Sequence, residues 1–191
     1  MNNTTNIMIV GVGGQGTLLA SRILGGAVIN AGYDVKVSEV HGMSQRGGSV
    51  VTYVKYGEKV FSPIIDKGEA DIILAFETLE AYRALPWLKP DGVIIVNNQQ
   101  INPMPVITGA QEYPKDILQK LSEKVKVTPL DALSLAKQAG SIKAVNVVLI
   151  GVMAKTTDIP YETWIETVKT TVPPKFLEVN LKAFELGYNF K

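Results

Sequence analysis

The sequence predicts an α/β fold: a three-layer, Rossmann-like domain with a mixed sheet and a helical C-terminal third. Three observations support this prediction. Short apolar runs that suit buried strands alternate with segments of helical periodicity. A glycine-rich loop at residues 11–16 joins the first apolar run to the first helical segment. A chain of 191 residues is most simply one domain with one core, so we expect residues 1–191 to fold as a unit.

The first third of the chain supplies the elements that make the predicted sheet mixed. Residues 7–10 indicate a buried strand, and residues 17–30 a helix, because their apolar side chains recur every four positions. A second strand is predicted over residues 33–40. Residues 49–56 alternate in hydrophobicity, and a two-residue connection to residues 59–61 predicts an inserted β-hairpin.

The remaining elements follow from the same two periodicities. Gly25 and Gly26 lie inside the first predicted helix, and we expect close packing against the sheet to explain them. The β-branched residues between 145 and 150 would also suit a strand, but we predict helix there. Further strands are predicted at residues 71–76 and 93–96 and, more weakly, near Val106 and Val125, with a turn at residues 90–92. Further helices are predicted at residues 78–85, 131–139, 144–155, 161–170 and 174–186.

Composition excludes several classes of function. Charged residues make up 19% of the chain and the net charge is +1, so we expect neither nucleic acid nor an anionic membrane surface as a partner. The chain has 0 cysteines, which excludes disulfides, thiolate nucleophiles and cysteine-bound iron–sulfur clusters within it. The longest apolar run, around residues 147–154, is too short to span a bilayer. The N-terminal segment lacks the features of a signal peptide, and a cytoplasmic protein is expected.

The glycine loop matches the pattern G-x-G-x-x-G through Gly11, Gly13 and Gly16. Glycines at these places permit a tight turn and let backbone N–H groups approach a pyrophosphate. Glu39 follows at close to the spacing of about 20 residues at which a carboxylate binds a ribose. A stand-alone protein that binds NAD or FAD is therefore one alternative. The others are glycines that serve only the turn and its packing, and a loop that meets a different anionic ligand or a partner surface.

A second loop, HGMSQRGGSV at residues 41–50, follows the second predicted strand. His41 is the single histidine and is a candidate proton carrier or hydrogen-bond donor, unless it only orders its own loop. Arg46 stands beside two glycines and could present its guanidinium to a carboxylate or phosphate, or form a structural ion pair. These two are the candidates for a direct chemical role, and no metal site is predicted. The candidate ligand-binding residues of the two loops are Gly11, Gly13, Gly14, Gln15, Gly16, Ser44, Gln45, Arg46, Gly47 and Gly48.

Both loops leave the C-terminal ends of strands, where open α/β sheets bind their ligands, so we expect them to meet at one edge of the sheet. Glu39 is a candidate to join them by accepting backbone N–H groups. The polar residues 97–100 either line the same edge or form an ordinary loop. Glu77 and Glu80 are interpreted as a solvated helix start, where negative charge suits the helix dipole.

The pairing of GVGGQG with SEVHGMSQRGG resembles the gamma-type subunits of the 2-oxoacid:ferredoxin oxidoreductases. The C-terminal VPPKFLEVNLKAFELGY is also similar to the C-terminal segment of such a subunit. Within the family, the chain most resembles the beta subunit of the indolepyruvate branch. The resemblance covers nearly the whole chain.

The resemblance implies a non-cluster subunit that is inactive alone. Family members decarboxylate a 2-oxoacid on thiamine diphosphate, pass electrons through [4Fe–4S] clusters to ferredoxin, and transfer the acyl group to coenzyme A. In the indolepyruvate branch, a large alpha subunit carries the thiamine diphosphate with its magnesium and the clusters. This chain would help to shape the active-site entrance and the coenzyme A site. A gamma subunit of a pyruvate or 2-oxoglutarate enzyme, and a pure scaffold, are further alternatives.

Overall fold

The computed structural model describes residues 4–41 and 47–191, apart from the side chain of His41. One mixed sheet carries its strands in the order β2-β3-β1-β4-β5-β6. These strands are β1 (Thr4–Val12), β2 (Asp34–His41), β3 (Ser49–Gly57), β4 (Ala70–Ala75), β5 (Leu88–Asn97) and β6 (Lys126–Leu130). The helices are α1 (Thr17–Asn30), α2 (Thr78–Ala84), α3 (Met104–Ile107), α4 (Ile117–Ser122), α5 (Ala132–Ala139), α6 (Val145–Ala154), α7 (Tyr161–Thr171) and α8 (Leu177–Tyr188).

The sheet has a parallel half and an antiparallel half. β1, β4, β5 and β6 run parallel to one another, while β3 is antiparallel to both β1 and β2. The α/β class, the mixed sheet and the helical C-terminal third are thus confirmed. Because β3 lies between β1 and β2, the second strand of the chain is not the spatial neighbour of the first. This arrangement decides where the two loops can meet.

Helices cover both faces of the sheet, and β1 shows why. Its alternating side chains divide between the two faces, as the period of a strand requires. Ile7 and Ile9 belong to the larger core, which α1 and the C-terminal helices complete. Met8 and Val10 belong to a smaller core under α2 and α4. The sheet and the helices on its two faces therefore form three layers.

The predicted hairpin between residues 49–56 and 59–61 is wrong. β3 pairs with β2 and β1 instead, and residues 58–69 contain no strand. The N–H group of Val60 donates to Asp34 Oδ2 at 2.9 Å, so a side chain rather than a strand partner holds this residue. Alternating hydrophobicity identifies a strand, but it does not say which strand lies beside it.

Two local predictions are also corrected. The turn expected at residues 90–92 lies within β5, where the pairing with β4 shifts register and the strand bulges. The weak strand expected near Val106 is the short helix α3, which begins after Pro103. The weak strand near Val125 is confirmed as β6, and the β-branched segment is the helix α6, which is buried from Asn146 to Ala154. Tertiary burial thus overrides β-propensity there.

The glycines of the helices mark close contacts between helices more than contacts with the sheet. A Cβ on Gly26 would lie 2.8 Å from Thr167 Cγ2 of α7. This glycine therefore packs against a helix, whereas packing against the sheet was expected. A Cβ on Gly25 would meet only Val37 Cγ2, at an ordinary 3.9 Å. Among the described residues, no helix combines the length and apolar character needed to cross a bilayer.

Candidate functional site

The two glycine-containing loops meet at the C-terminal edge of the parallel strands. Gly13 donates its N–H to Gly48 O at 2.8 Å, and Gly47 donates its N–H to Gly13 O at 3.3 Å. The meeting expected from their positions is confirmed for these described residues. The two hydrogen bonds hold the loop after β1 against the residues that precede β3.

Gln15 occupies the interior of the first loop. Its Oε1 accepts the N–H of Val12 at 2.7 Å, and its Nε2 donates to Phe76 O at the end of β4 at 3.0 Å. A Cβ on Gly11 would lie only 2.9 Å from Gln15 Oε1. Gly11 therefore makes room for a side chain of the protein, and the N–H of Val12 is already bonded and does not face a ligand.

The part of the first loop that remains open faces α1. Gly14 has a φ of +102° and a Cβ on it would meet nothing within 4 Å, while Gly16 has a φ of +81° and precedes the helix. Asn146 Nδ2 of α6 donates to Gly16 O at 3.1 Å and fixes this turn. A cleft of about 590 Å³ lies here. Its lining residues are Gly13, Gly14, Gly16, Thr17, Leu18, Arg22, Glu39 and Val50.

Glu39 lies in this cleft but does not join the loops in the expected way. Its Oε1 accepts a hydrogen bond from Ser21 Oγ of α1 at 2.7 Å, so its described partner is a hydroxyl and not a backbone N–H. Glu39 also pairs with Thr52 of β3, which separates it from β1. In a dinucleotide-binding fold the acidic residue ends the strand next to the glycine loop. The intervening strand therefore argues against the NAD or FAD alternative.

A second cleft, of about 420 Å³, opens on the other face of the loop pair, beside α2 and α3. Glu80 lies in its wall, 5% exposed. One carboxylate oxygen accepts the hydroxyl of Ser49, and the other accepts from Arg83 Nη1 at 2.6 Å. The apolar part of the wall comes from Val12, Leu79, Ile101, Pro103, Met104 and Ile107.

Glu77 and Glu80 are buried, so the prediction of a solvated helix start is wrong. Glu77 is 1% exposed and caps α2 by accepting the N–H of Glu80 at 2.9 Å. It also accepts the N–H of Ile101 at 3.1 Å and the hydroxyl of Tyr113. Burial, followed by this hydrogen bond to Glu77, raises the pKa of the Tyr113 phenol above its ordinary value. The phenol therefore remains a donor, and Glu77 joins α2 to two further loops.

The polar residues after β5 line the same edge, as one of the two alternatives predicted. Asn97 Nδ2 donates to Phe76 O at 3.2 Å and to Gln99 Oε1 at 3.0 Å. Asn97 Oδ1 accepts the N–H of Ala132, the first residue of α5, at 3.1 Å. These bonds satisfy the backbone where β4 and β5 end, and they fix the edge next to Gln15.

Comparisons with known proteins agree on one family. The profile of the family described as "Pyruvate ferredoxin/flavodoxin oxidoreductase" matches residues 6–190. The chain belongs to this family.

Relatives within the family differ in their similarity to the chain. Indolepyruvate oxidoreductase subunit IorB of Thermococcus kodakarensis is 46% identical over 188 residues, which cover 95% of this chain and 93% of that protein. The Pyruvate/ketoisovalerate oxidoreductases common subunit gamma of the same organism is 26% identical over 183 residues, covering 94% and 92%. The crystal structure of the keto/oxoacid ferredoxin oxidoreductase gamma subunit from Geobacter sulfurreducens superposes with a TM-score of 0.72, at 26% identity and 96% coverage of both chains.

The residues predicted to form the family's ligand-binding edge are only partly described. Ser44, Gln45 and Arg46 lie outside the described residues. The backbone of His41 ends β2, paired with Val50. Gly11, Gly13, Gly14, Gln15, Gly16, Gly47 and Gly48 are brought together at one edge of the sheet. No group of three or more His, Cys, Asp and Glu that could bind a metal is found in residues 4–40 and 47–191.

Sequence reasoning missed four side chains that shape this edge, namely those of Glu77, Glu80, Tyr113 and Asn146. Asn146 is a single amide in an apolar segment, and a polar residue there signals a buried hydrogen bond. Glu77 directly follows a buried strand, which places it at the edge where ligands bind. The contact between Glu77 and Tyr113 joins residues 36 positions apart, so no local sequence pattern predicts it.

Proposed function

We propose that this chain is the small, cluster-free subunit of an indolepyruvate:ferredoxin oxidoreductase. One observation carries the proposal. Identity to a protein named as an indolepyruvate oxidoreductase subunit is 46%, against 26% to the pyruvate/ketoisovalerate gamma subunit of the same organism. The complex would convert an aryl pyruvate, coenzyme A and two oxidised ferredoxins to an aryl-acetyl-CoA, carbon dioxide, a proton and two reduced ferredoxins.

The chemistry of this chain supports a division of labour with a larger partner. It has 0 cysteines, so its donor set does not fit a [4Fe–4S] cluster. We therefore assign the clusters, together with thiamine diphosphate and its magnesium, to a large alpha subunit, and contact with ferredoxin is indirect. Within this proposal residues 1–191 are a single domain that works in the cytoplasm.

The edge that carries both loops is the part of the chain proposed to meet coenzyme A and the partner. α1 is 14 residues long, and its N-terminus follows the open part of the glycine loop. The N–H groups and dipole at such a terminus favour an anion. Arg22 adds a cation to the lining of the same cleft. These features support a role for this cleft in binding a phosphate-bearing molecule, and Arg46 and His41 remain the candidates from the adjoining loop.

The decisive experiment is co-expression of the chain with a large subunit that carries thiamine-binding and cluster motifs. The purified complex should reduce ferredoxin or a dye when given indolepyruvate and coenzyme A, and it should do so faster than with pyruvate or 2-oxoglutarate. The chain alone should show no turnover. Turnover by the isolated chain, or a preference for pyruvate, would contradict the proposal.

Variants of the second loop test whether this edge contacts substrates. Arg46→Ala and His41→Ala should each raise KM for coenzyme A or the oxoacid in the complex, because each would remove a candidate hydrogen-bond donor for these substrates. Lys124→Ala is the control, since Lys124 is exposed and precedes β6, the outer strand on the side of the sheet opposite to β2. Unchanged kinetics in both loop variants would leave a scaffold role as the explanation.

A further inference from the structure

Glu80, like Glu77, is a buried carboxylate outside the glycine loops. Only 5% of the residue is exposed, although a buried carboxylate is costly unless its oxygens are well satisfied. Here both oxygens are bonded, one by the Ser49 hydroxyl and one by Arg83. The other i,i+3 ion pair between described residues, Lys169–Glu166, lies on the surface of α7 with the Glu166 side chain 65% exposed.

Glu80 reaches the glycine loops through one side chain. Ser49 is the first residue of β3 and directly follows Gly47 and Gly48. Those two glycines exchange backbone hydrogen bonds with Gly13 of the first loop. The path from Glu80 to the loop pair therefore consists of one hydrogen bond to Ser49, the peptide bonds that join Ser49 to Gly48 and Gly47, and the hydrogen bonds of these glycines with Gly13.

The helix that carries Glu80 is itself firmly held. Glu77 caps α2 and accepts bonds from Ile101 and Tyr113, so the N-terminal turn is tied to two other segments of the edge. A carboxylate on a rigid helix can fix the position of a loop more accurately than one on another loop. Ser49 is thus bonded to a fixed point.

Glu80 is not one of the residues that would contact a bound anion. Its own charge is compensated by Arg83, so this pair offers no net charge to the cleft beside α2. The cleft that includes the N-terminus of α1 and Arg22 lies on the other face of the loop pair. Glu80 does not line that cleft and would act on a ligand there only through the loops.

We propose that Glu80 is a positioning residue: through Ser49 it holds Gly47 and Gly48 against Gly13 and so sets the shape of the coenzyme A-binding edge. The inference rests on the proposed function. A loop misplaced by about 1 Å can lower the rate by about 100-fold, so a single hydrogen bond at this place has a measurable effect.

Kinetics of the assembled complex test the role in function. Ser49→Ala and Glu80→Leu are expected to lower kcat/KM for coenzyme A by about 10- to 100-fold, while KM for ferredoxin, which contacts the partner, stays at the wild-type value. The kcat/KM of the double variant should be no lower than that of the less active single variant, because both changes break the same connection. Ser49→Thr keeps the hydroxyl and suits a strand, so it should restore wild-type kinetics. Glu166→Leu removes the matched surface pair and should leave these kinetic constants unchanged.

Hydrogen exchange in the isolated chain tests the positioning itself without any turnover. The amides of Gly13 and Gly47, measured individually by NMR, should exchange faster in Ser49→Ala and Glu80→Leu than in the wild type or Glu166→Leu. Unchanged exchange would overturn the proposal, even if the complex proved inactive on indolepyruvate and the proposed function had to be abandoned. Faster exchange with unaltered coenzyme A kinetics would also overturn it, since the contact would then be structural only.

Discussion

At the scale of single residues, protein side chains occupy places that a glycine-rich loop usually leaves to a ligand. Gln15 bonds the N–H of Val12 and reaches the carbonyl of Phe76. Glu77 gathers three donors at the start of α2. These amide and carboxylate groups join the ends of β1, β4 and β5 through hydrogen bonds within the protein.

Replacing Gln15 tests this interpretation. Gln15→Leu is expected to lower the free energy of unfolding by about 1–3 kcal/mol, because the buried N–H of Val12 loses its acceptor. Gln119→Leu is the matched control, since Gln119 is exposed and bonds Glu123 on the surface of α4, and it should change stability by less than about 0.5 kcal/mol. Urea denaturation of the two variants and the wild type measures both values, and equal losses would contradict the role of Gln15.

The raised pKa of Tyr113 predicts a dependence of stability on pH. The folded chain keeps the phenol protonated, whereas the unfolded chain releases the proton near its ordinary pKa of 10.0. The contribution of this group is therefore fully present below pH 10 and is lost as the pH rises through the folded-state pKa. The free energy of unfolding should fall with pH above 10, and Tyr113→Phe should reduce that slope. Denaturant titrations at several pH values measure it; identical slopes would rule out the mechanism.

At the scale of elements, glycine decides how closely two helices approach. α6 and α8 pack backbone to backbone, since a Cβ on Gly151 would lie 2.8 Å from the N atom of Tyr188 and closer still to the carbonyl of Phe184. A Cβ on Gly187 would clash with the carbonyl of Val148 in the same way. The contact lets the last helix cover the larger core.

Gly25 of α1 and Gly151 of α6, two buried glycines in the middle of helices, provide a matched pair. Gly151→Ala should destabilise the chain by about 1–3 kcal/mol, because α6 and α8 must separate. Gly25→Ala should instead be neutral or stabilise by up to about 1 kcal/mol, since its Cβ would make an ordinary contact of 3.9 Å and alanine favours helix. Thermal and urea unfolding compare them. A stabilising Gly151→Ala variant would show that the helices are not in contact at this point.

At the scale of the whole molecule, the strand order separates this chain from dinucleotide-binding proteins. β3 lies between β1 and β2, so Glu39 is one strand further from the glycine loop than a ribose-binding carboxylate would be.

The corresponding prediction concerns nicotinamide and flavin dinucleotides. Isothermal titration of the isolated chain with millimolar NAD or FAD should show no binding heat, because β3 separates the strand of Glu39 from β1 and this carboxylate is not placed to bind a ribose. An established NAD-binding dehydrogenase serves as the positive control. Micromolar binding of either dinucleotide would revive the alternative of a stand-alone dinucleotide-binding protein.

The strands, the loops and Glu80 show which features could be predicted from the sequence and which could not. The apolar strands, the glycine loop and most helices of the last third were predictable because burial imposes a period on the chain. The partner of β3 was not, since the hydrogen-bonding groups of a strand are the same whichever neighbour they meet. Glu80 shows the same limit at the site. Its position suggested solvent, whereas Ser49 and Arg83 enclose it in the folded chain.

The sequence by itself determined the α/β class, the two loops that carry the candidate site and, through the resemblance of their motifs, the family. It could do so because periodicity, glycine spacing and the lack of cysteine are properties of short segments or of composition. Only the tertiary structure decided the position of β3, the hydrogen bond from the Gln15 side chain to Phe76 O, and the burial of Glu77 and Glu80. These features depend on contacts between residues far apart in the chain, which form only when the sheet and its helices pack.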